Sequence, residues 1–109
     1  MGIVYKPKLT QDSLDDFRKL DGSQKKQILK SLTKIEKDGM NTGQQLHGKL
    51  WDCRKLKHKK LGLRVIFRLS EQTVSLEPEI EIVEIVVIGK RESSEVYKSA
   101  EERLGRNIH

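Results

Sequence analysis

The chain has 109 residues, 35% of them charged and 35% hydrophobic, and its formal net charge is +6. This length suits a single domain over residues 1–109, with a small core under a highly charged surface. The sequence has no run near the ~20 apolar residues of a membrane span and no signal-peptide pattern, so we expect a cytoplasmic protein that makes no membrane contact. One cysteine and three scattered histidines predict no disulfide, metal or cofactor.

The N-terminal third predicts a strand followed by two helices. Residues 2–6 are β-prone and are followed by Pro7, as in an edge strand. Thr10 or Asp12 can cap a first helix, and Ser23 can cap a second one. Each helix carries one apolar stripe: Leu14, Phe17 and Leu20 in the first, and Ile28, Leu29, Leu32 and Ile35 in the second. Together they predict an αα-hairpin whose apolar side covers a sheet.

The middle of the chain predicts a loop at residues 40–49 and then a β-hairpin. The arms of the hairpin are residues 50–58 and 63–69, and the second arm alternates apolar residues with Arg64, Ile66 and Arg68, a period of two. A turn at Lys59-Lys60 would pair Leu56 with Leu63 and place Lys55 opposite Arg64. Lys55 and Lys57 are two residues apart and therefore project from the same face of the strand.

The C-terminal third predicts a buried strand and a last helix. Residues 70–81 form a connection of uncertain form that contains Pro78, whereas residues 82–88 are nearly all β-branched, as in a central strand buried on both faces. Ser93 or Ser94 can cap a final helix that ends before Gly105. Its apolar stripe is Val96, Tyr97, Ala100 and Leu104. The order β-α-α-β-β-β-α predicts an α+β fold on a small antiparallel sheet.

Positive charge is concentrated in the hairpin. Residues 53–70 carry seven Lys or Arg and no Asp or Glu, whereas the other 91 residues carry 15 basic and 16 acidic side chains. Clustered cations on a rigid sheet can hold a polyanion, because each one that meets a phosphate releases counterions. The alternative is a solvated basic hairpin. Like charges opposed across two strands are destabilising, which favours an anionic ligand that offsets them.

Three segments resemble the RelE family of bacterial toxins: DCRKLK (52–57), GLRVIF (62–67) and above all GKRESSEVY (89–97). The resemblance extends over essentially the whole chain and is strongest from Leu46 to Leu104. It implies a messenger-RNA endoribonuclease that acts at the ribosomal A site, where it meets mRNA and ribosomal RNA. It also implies a cognate, RelB-like antitoxin that holds the toxin inactive.

The resemblance implies five catalytic residues. The family's paired strand lysines match Lys55 and Lys57, its hairpin arginine matches Arg64, the arginine after the last strand matches Arg91, and the tyrosine of the final helix matches Tyr97. Further cations were assigned to RNA phosphates: Arg54, Lys59, Lys60, Arg68 and Lys90. Arg54 and the two extra lysines at 59 and 60 depart from the family pattern.

These residues suit a metal-independent cleavage of RNA. The 2′-OH attacks the adjacent phosphate and leaves a 2′,3′-cyclic phosphate, with a base, charge stabilisation and a proton for the leaving oxygen supplied by the enzyme. Tyrosine is a poor base at neutral pH, and Lys57 and Arg91 nearby would favour its phenolate form. Lys55 and Arg64 then suit phosphate clamping.

Several alternatives stay open at this point. The same scaffold can serve as a non-catalytic inhibitor of gyrase, as in the ParE group, or the chain can be a basic nucleic-acid-binding module. Tyr97 can be a core residue with its hydroxyl at the surface. Trp51, the only tryptophan, is interpreted as an anchor packed on the sheet rather than a base-stacking platform. His47 and His58 are interpreted as surface residues without a catalytic role.

Overall fold

The computed structural model describes residues 3–74, 79–90 and 95–106, and within these ranges it has five strands and three helices. The strands are β1 (Ile3–Leu9), β2 (Gln44–Gln45), β3 (Cys53–His58), β4 (Leu63–Val74) and β5 (Glu79–Lys90). The helices are α1 (Gln11–Arg18), α2 (Gly22–Asp38) and α3 (Glu95–Arg103), and 3-10 turns lie at Gly39–Asn41 and Gly48–Leu50. The predicted α+β fold is confirmed. None of the helices in these ranges is both long and apolar enough to span a membrane.

The five strands form one sheet in the order β1-β5-β4-β3-β2. Strand β1 lies at the edge, as predicted, but it pairs in parallel with β5, so the sheet is mixed rather than antiparallel. The other neighbours pair antiparallel. The predicted loop contains the strand β2. This strand has only two residues and is too short to be predicted from the sequence. The predicted connection at 70–81 is largely strand, since β4 runs to Val74 and β5 begins at Glu79.

Capping boxes begin the two helices of the αα-hairpin. Thr10 caps α1, as predicted, and accepts a hydrogen bond from the backbone of Ser13. The cap of α2 is Asp21 and not Ser23: Asp21 accepts from the Gln24 backbone at 2.8 Å, and the Gln24 side chain accepts from the Asp21 backbone at 3.0 Å. This reciprocal pair satisfies two backbone donors that Ser23, two residues later, would leave open.

Both faces of the sheet are covered. On one face, Ile28 and Ile35 of α2 pack on Leu63, Val65 and neighbouring strand residues. Leu29, predicted to share that stripe, is 53% exposed, because it lies one residue around the helix from Ile28. On the other face, called the α3 face below, Val96 and Ala100 of α3 pack on a second cluster, as predicted. This cluster contains Cys53, Ile66, Val86 and Val87. The predicted burial of β5 on both faces is confirmed.

Some predictions fall outside the described residues. They are the catalytic assignment of Arg91, the helix cap at Ser93 or Ser94, and the part of the predicted connection that contains Pro78. The end of α3 is described, and Gly105 lies beyond it with a φ of 70°, in the left-handed region that glycine adopts without strain.

Candidate active site

Tyr97 lies on the first turns of α3, and a glycine in β5 brings it close to the sheet. Gly89 pairs with Arg64 of β4. A Cβ on Gly89 would lie 2.5 Å from a methyl carbon of Val96, closer than real contacts allow. Glycine therefore lets α3 lie directly on β5 at this point. The partly buried Tyr97, next to the buried Val96, is held beside the strand that carries Arg64.

The hydroxyl oxygen of Tyr97 receives two charged donors. Lys55 Nζ donates to it at 2.9 Å, and Arg64 Nη1 donates to it as well. The same two groups lie over the ring, with Lys55 Nζ 5.4 Å and Arg64 Cζ 5.6 Å from its centroid. Both contacts are in the range of cation–π attraction. The three side chains thus form one compact group on the α3 face, which we call the tyrosine–cation cluster.

One donor of this cluster has no partner among the described residues. Arg64 Nε is buried and makes no hydrogen bond within residues 3–74, 79–90 and 95–106. A guanidinium presents five N–H donors in a planar fork, the geometry that matches a phosphate or carboxylate. The cluster therefore retains capacity to bind an anion.

The hairpin register differs from the prediction. Lys57, not Lys55, lies opposite Arg64, and Leu56 pairs with Val65. The prediction assumed a turn at Lys59-Lys60 only, whereas the strands are joined by residues 59–62, with Gly62 at a φ of 62°. The longer turn moves each partner by two residues. Lys55 and Lys57 nevertheless share the α3 face with Arg64, as their spacing predicted.

The sequence assigned Lys57 and Arg91 to the hydroxyl of Tyr97, and Lys55 and Arg64 to the phosphate. In the structure Lys55 and Arg64 contact the hydroxyl, and Lys57 is exposed beside them. Arg91 is not among the described residues. No sequence signal separated these roles, because all four cations were expected on one face and only their register decides which reach the ring.

The other end of the strand pair carries acids as well as cations. Arg68 lies 3.6 Å from the carboxylate of Asp52 and 3.7 Å from that of Glu84. Arg106 forms a bidentate pair with Asp52, and this pair lowers the pKa of the Asp52 carboxyl to about 2. The neighbouring thiol of Cys53 is buried, and burial together with the Asp52 charge raises its pKa to about 12.

The remaining predicted phosphate ligands differ in their surroundings. Arg54 faces the opposite side from Lys55 and ties down residues 42–45: it donates to the carbonyls of Thr42 (2.8 Å) and Gly43 (2.7 Å) and to the side chain of Gln45. These contacts give Arg54 a structural role. The lysines of this group are exposed: Lys59, Lys60 and Lys90. Phosphate binding by all of them stays a prediction.

The aromatic and histidine predictions have mixed outcomes. Trp51 is 68% exposed, so the interpretation as a packed anchor is wrong; the 3-10 turn directs Leu50 into the core instead. His47 is exposed, as predicted. His58 is half-buried and its Nε2 contacts the hydroxyl of Ser31 in α2. Burial and the charge of Lys34 lower the pKa of His58.

Comparison with known proteins identifies the family, although no protein-family model matches the chain. A RelE-like toxin protein of Escherichia coli is 31% identical over 100 residues, which cover 92% of this chain and 97% of that protein. The mRNA interferase toxin RelE of E. coli strain K12 is 29% identical over 102 residues, covering 94% and 99%.

Solved structures agree with the sequence relatives. The free E. coli toxin RelE, carrying two arginine-to-alanine substitutions, superposes with a TM-score of 0.73 at 27% identity, over 93% of this chain and 98% of that one. The same mutant bound to an antitoxin RelBc peptide gives 0.57 at 26% identity, over 89% and 94%. The chain belongs to the RelE family of toxins.

Proposed function

We propose that this chain is the toxin of a toxin–antitoxin pair and cleaves messenger RNA on the ribosome, as a single domain over residues 1–109. The observation that carries the proposal is the pair of charged donors on the hydroxyl of Tyr97. A plain binding surface uses cations but has no need of a phenol between them. The names of the relatives, mRNA interferases at 29% identity, support the reaction class.

The proposed reaction uses the nucleophile that RNA carries. The 2′-oxygen forms a bond to the adjacent phosphorus, and the bond from phosphorus to the 5′-oxygen breaks. The leaving 5′-oxygen takes a proton from water, so the products are a 2′,3′-cyclic phosphate and a 5′-hydroxyl. Tyr97 acts as the general base and takes the proton of the 2′-OH. Lys55 and Arg64 donate to the hydroxyl oxygen of Tyr97 and hold it in position for this transfer.

The other cations act on the phosphate. The guanidinium charge of Arg64 and the exposed Lys57 lie on the same face as Tyr97, where they can neutralise charge that builds on the phosphorane. We assign Arg91 to stabilise negative charge on the leaving 5′-oxygen. The assignment is based on its position in the sequence, directly after β5. Lys59, Lys60 and Lys90 would hold flanking phosphates.

We expect the ribosome to be required. Lysine and arginine contacts to phosphates position RNA without reading its bases, and the described site offers no strong general base, since tyrosine is a poor base at neutral pH. Correct placement of the scissile bond must then come from elsewhere, and the ribosomal A site can supply it. This activity would place the protein in the cytoplasm.

We also expect a cognate, RelB-like antitoxin. A solved relative binds an antitoxin RelBc peptide, and this chain presents a cationic sheet beside an αα-hairpin. A partner with an amphipathic helix and an acidic or extended segment complements these surfaces.

The test is cleavage on programmed ribosomes with mapping of both RNA ends. We expect ends with 2′,3′-cyclic phosphate and 5′-hydroxyl, formed far faster on the ribosome than on free RNA. Ends with a 3′-hydroxyl would exclude the proposed reaction. Equal rates on free and ribosome-bound RNA would exclude the requirement for the ribosome and leave the chemistry standing.

A further inference from the structure

Trp51 is the most exposed of the large hydrophobic residues in the described part of the chain. Its exposed fraction is 68%, against 53% for Leu29 and 47% for Ile3. Tryptophan is highly buried on average, because its large apolar surface is costly to leave in water. An exposed indole next to a nucleic-acid surface is the side chain best suited to stack on an unpaired base.

The backbone that carries the Trp51 side chain is tied down by hydrogen bonds. The Trp51 amide donates to the carbonyl of Gly48 at 3.2 Å, and its carbonyl accepts from the side chain of Gln45. The neighbour Leu50 is buried in the core, and Arg106 donates to the carbonyl of Lys49 at 3.0 Å. A residue presented on a rigid turn loses little conformational freedom when it binds, which favours a binding role.

The surroundings of Trp51 suit a nucleic acid. Lys49 is exposed and forms no ion pair within the described ranges, and His47 and Gln45 are exposed beside it. The nearby carboxylate of Asp52 is already matched by Arg68 and Arg106, so it does not repel a phosphate strongly. A positive side chain next to an aromatic face is the pattern of surfaces that bind single strands.

Trp51 also lies within reach of the tyrosine–cation cluster. Lys55 is four positions further along the chain, and four residues of extended chain span at most roughly 14 Å. A few nucleotides of single-stranded RNA cover that distance. We therefore propose that Trp51, with Lys49, is a second RNA subsite in which the indole stacks on an unpaired base near the phosphate held at Tyr97. This inference rests on the proposed function.

The single tryptophan makes the test direct, because the fluorescence of the chain reports Trp51 alone. The probe is a short, fully 2′-O-methylated oligoribonucleotide, which lacks the 2′-OH nucleophile, titrated into the full chain at low salt. We expect saturable quenching. The variants without tryptophan are titrated by the fluorescence anisotropy of a dye-labelled probe: Trp51→Ala should weaken binding roughly 5- to 150-fold, the effect of losing one stacked base, and Trp51→Phe much less. Leu29→Ala, an exposed hydrophobic residue on α2, is the control and should change nothing.

Abasic substitution separates stacking from other causes. Replacing one base by an abasic site should cost the same factor as Trp51→Ala, and combining the two changes should cost no more than either alone. Three results would each overturn the inference. They are an unchanged RNA affinity in Trp51→Ala, no binding of the probe at low salt, and losses from Trp51→Ala and the abasic site that add at every position. A Trp51→Ala protein that loses antitoxin affinity and keeps RNA affinity would also overturn it, since the surface would then belong to a protein partner. None of these results bears on cleavage, which the mapping of RNA ends tests separately.

Discussion

The two ends of the β3–β4 strand pair both carry cations on the α3 face, but within the described residues only one end pairs its cations with acids. At one end Arg68, opposite Cys53, lies within 4 Å of Asp52 and Glu84, and Arg106 adds a second pair to Asp52. At the other end Lys57, opposite Arg64, stands beside Lys55 and Tyr97, and these three cations form no ion pair within residues 3–74, 79–90 and 95–106. We call these the matched end and the unmatched end.

The difference separates structural charge from functional charge. Ion pairs at the matched end offset each other's charge, and Arg106 fastens residues 49–52 to the segment after α3 through its contacts with Lys49 and Asp52. Like charges at the unmatched end repel and destabilise the sheet. A fold gains nothing from that arrangement by itself, so a bound anion is the natural counterpart.

The largest expected effect is at the unmatched end. Tyr97→Phe removes one oxygen and keeps the ring that Lys55 and Arg64 cover, so the fold and ribosome affinity should survive. If Tyr97 is the general base, single-turnover cleavage on programmed ribosomes should fall roughly 10²- to 10⁴-fold. A variant that cleaves at the parent rate would remove this mechanism and favour a binding module.

The sequence predicted which face each hairpin residue occupies but not which residues are opposite each other. A period of two fixes the face, and a register error of two residues preserves it, so Lys55, Lys57 and Arg64 were grouped correctly. Which residues pair across the two strands depends on the length of the turn. Gly62, which has a positive φ, is the sequence feature that indicates a turn extending to residue 62. The mistaken burial of Trp51 has a similar origin. Hydrophobicity alone cannot tell which of two adjacent residues, Leu50 or Trp51, a 3-10 turn directs inward.

The next effect tests the matched end through stability. Asp52→Asn leaves Arg68 and Arg106 without their carboxylate and should lower the free energy of unfolding by about 2 kcal/mol, measured by urea denaturation. Asp15→Asn is the control: its pair with Arg18 is exposed and 3.9 Å long, and should cost less than about 0.5 kcal/mol. Equal small losses in the two variants would show that the matched end contributes no more than a surface pair.

The same carboxylate gives a pH dependence. The folded pKa of Asp52 is about 2, below its usual value of 3.8, so its contribution to stability is present above pH ~4 and is lost as the pH falls towards 2. The loss should be at most about 2 kcal/mol, because solvent screens a partly exposed pair. Urea midpoints of the parent should fall over this window more than those of Asp52→Asn. Parallel curves would contradict the assignment.

A smaller effect compares two arginines on one face of β4. Arg64→Gln should weaken binding of a non-cleavable single-stranded RNA by roughly 1 kcal/mol and reduce the slope of log affinity against log salt by about 0.7, the value for one phosphate contact. Arg68→Gln should change neither, because the carboxylates of Asp52 and Glu84 already neutralise the charge of Arg68. A similar loss of slope in both variants would restore Arg68 as a phosphate ligand and abolish the distinction between the two ends.

The smallest effect comes from giving the unmatched end an acid. Lys57→Glu places a carboxylate opposite Arg64, so a repulsive cross-strand pair becomes an attractive one and stability should rise by roughly 0.2–1 kcal/mol. Lys60→Glu is the control: it makes the same charge change in the exposed turn, outside the paired positions of β3 and β4. The difference between their unfolding free energies isolates the pair with Arg64. Lys57→Glu should also weaken RNA binding, because the new carboxylate competes with phosphate for the guanidinium. If Lys57→Glu is no more stable than Lys60→Glu, the unmatched cations cost the fold nothing, and their lack of acids would no longer point to a ligand.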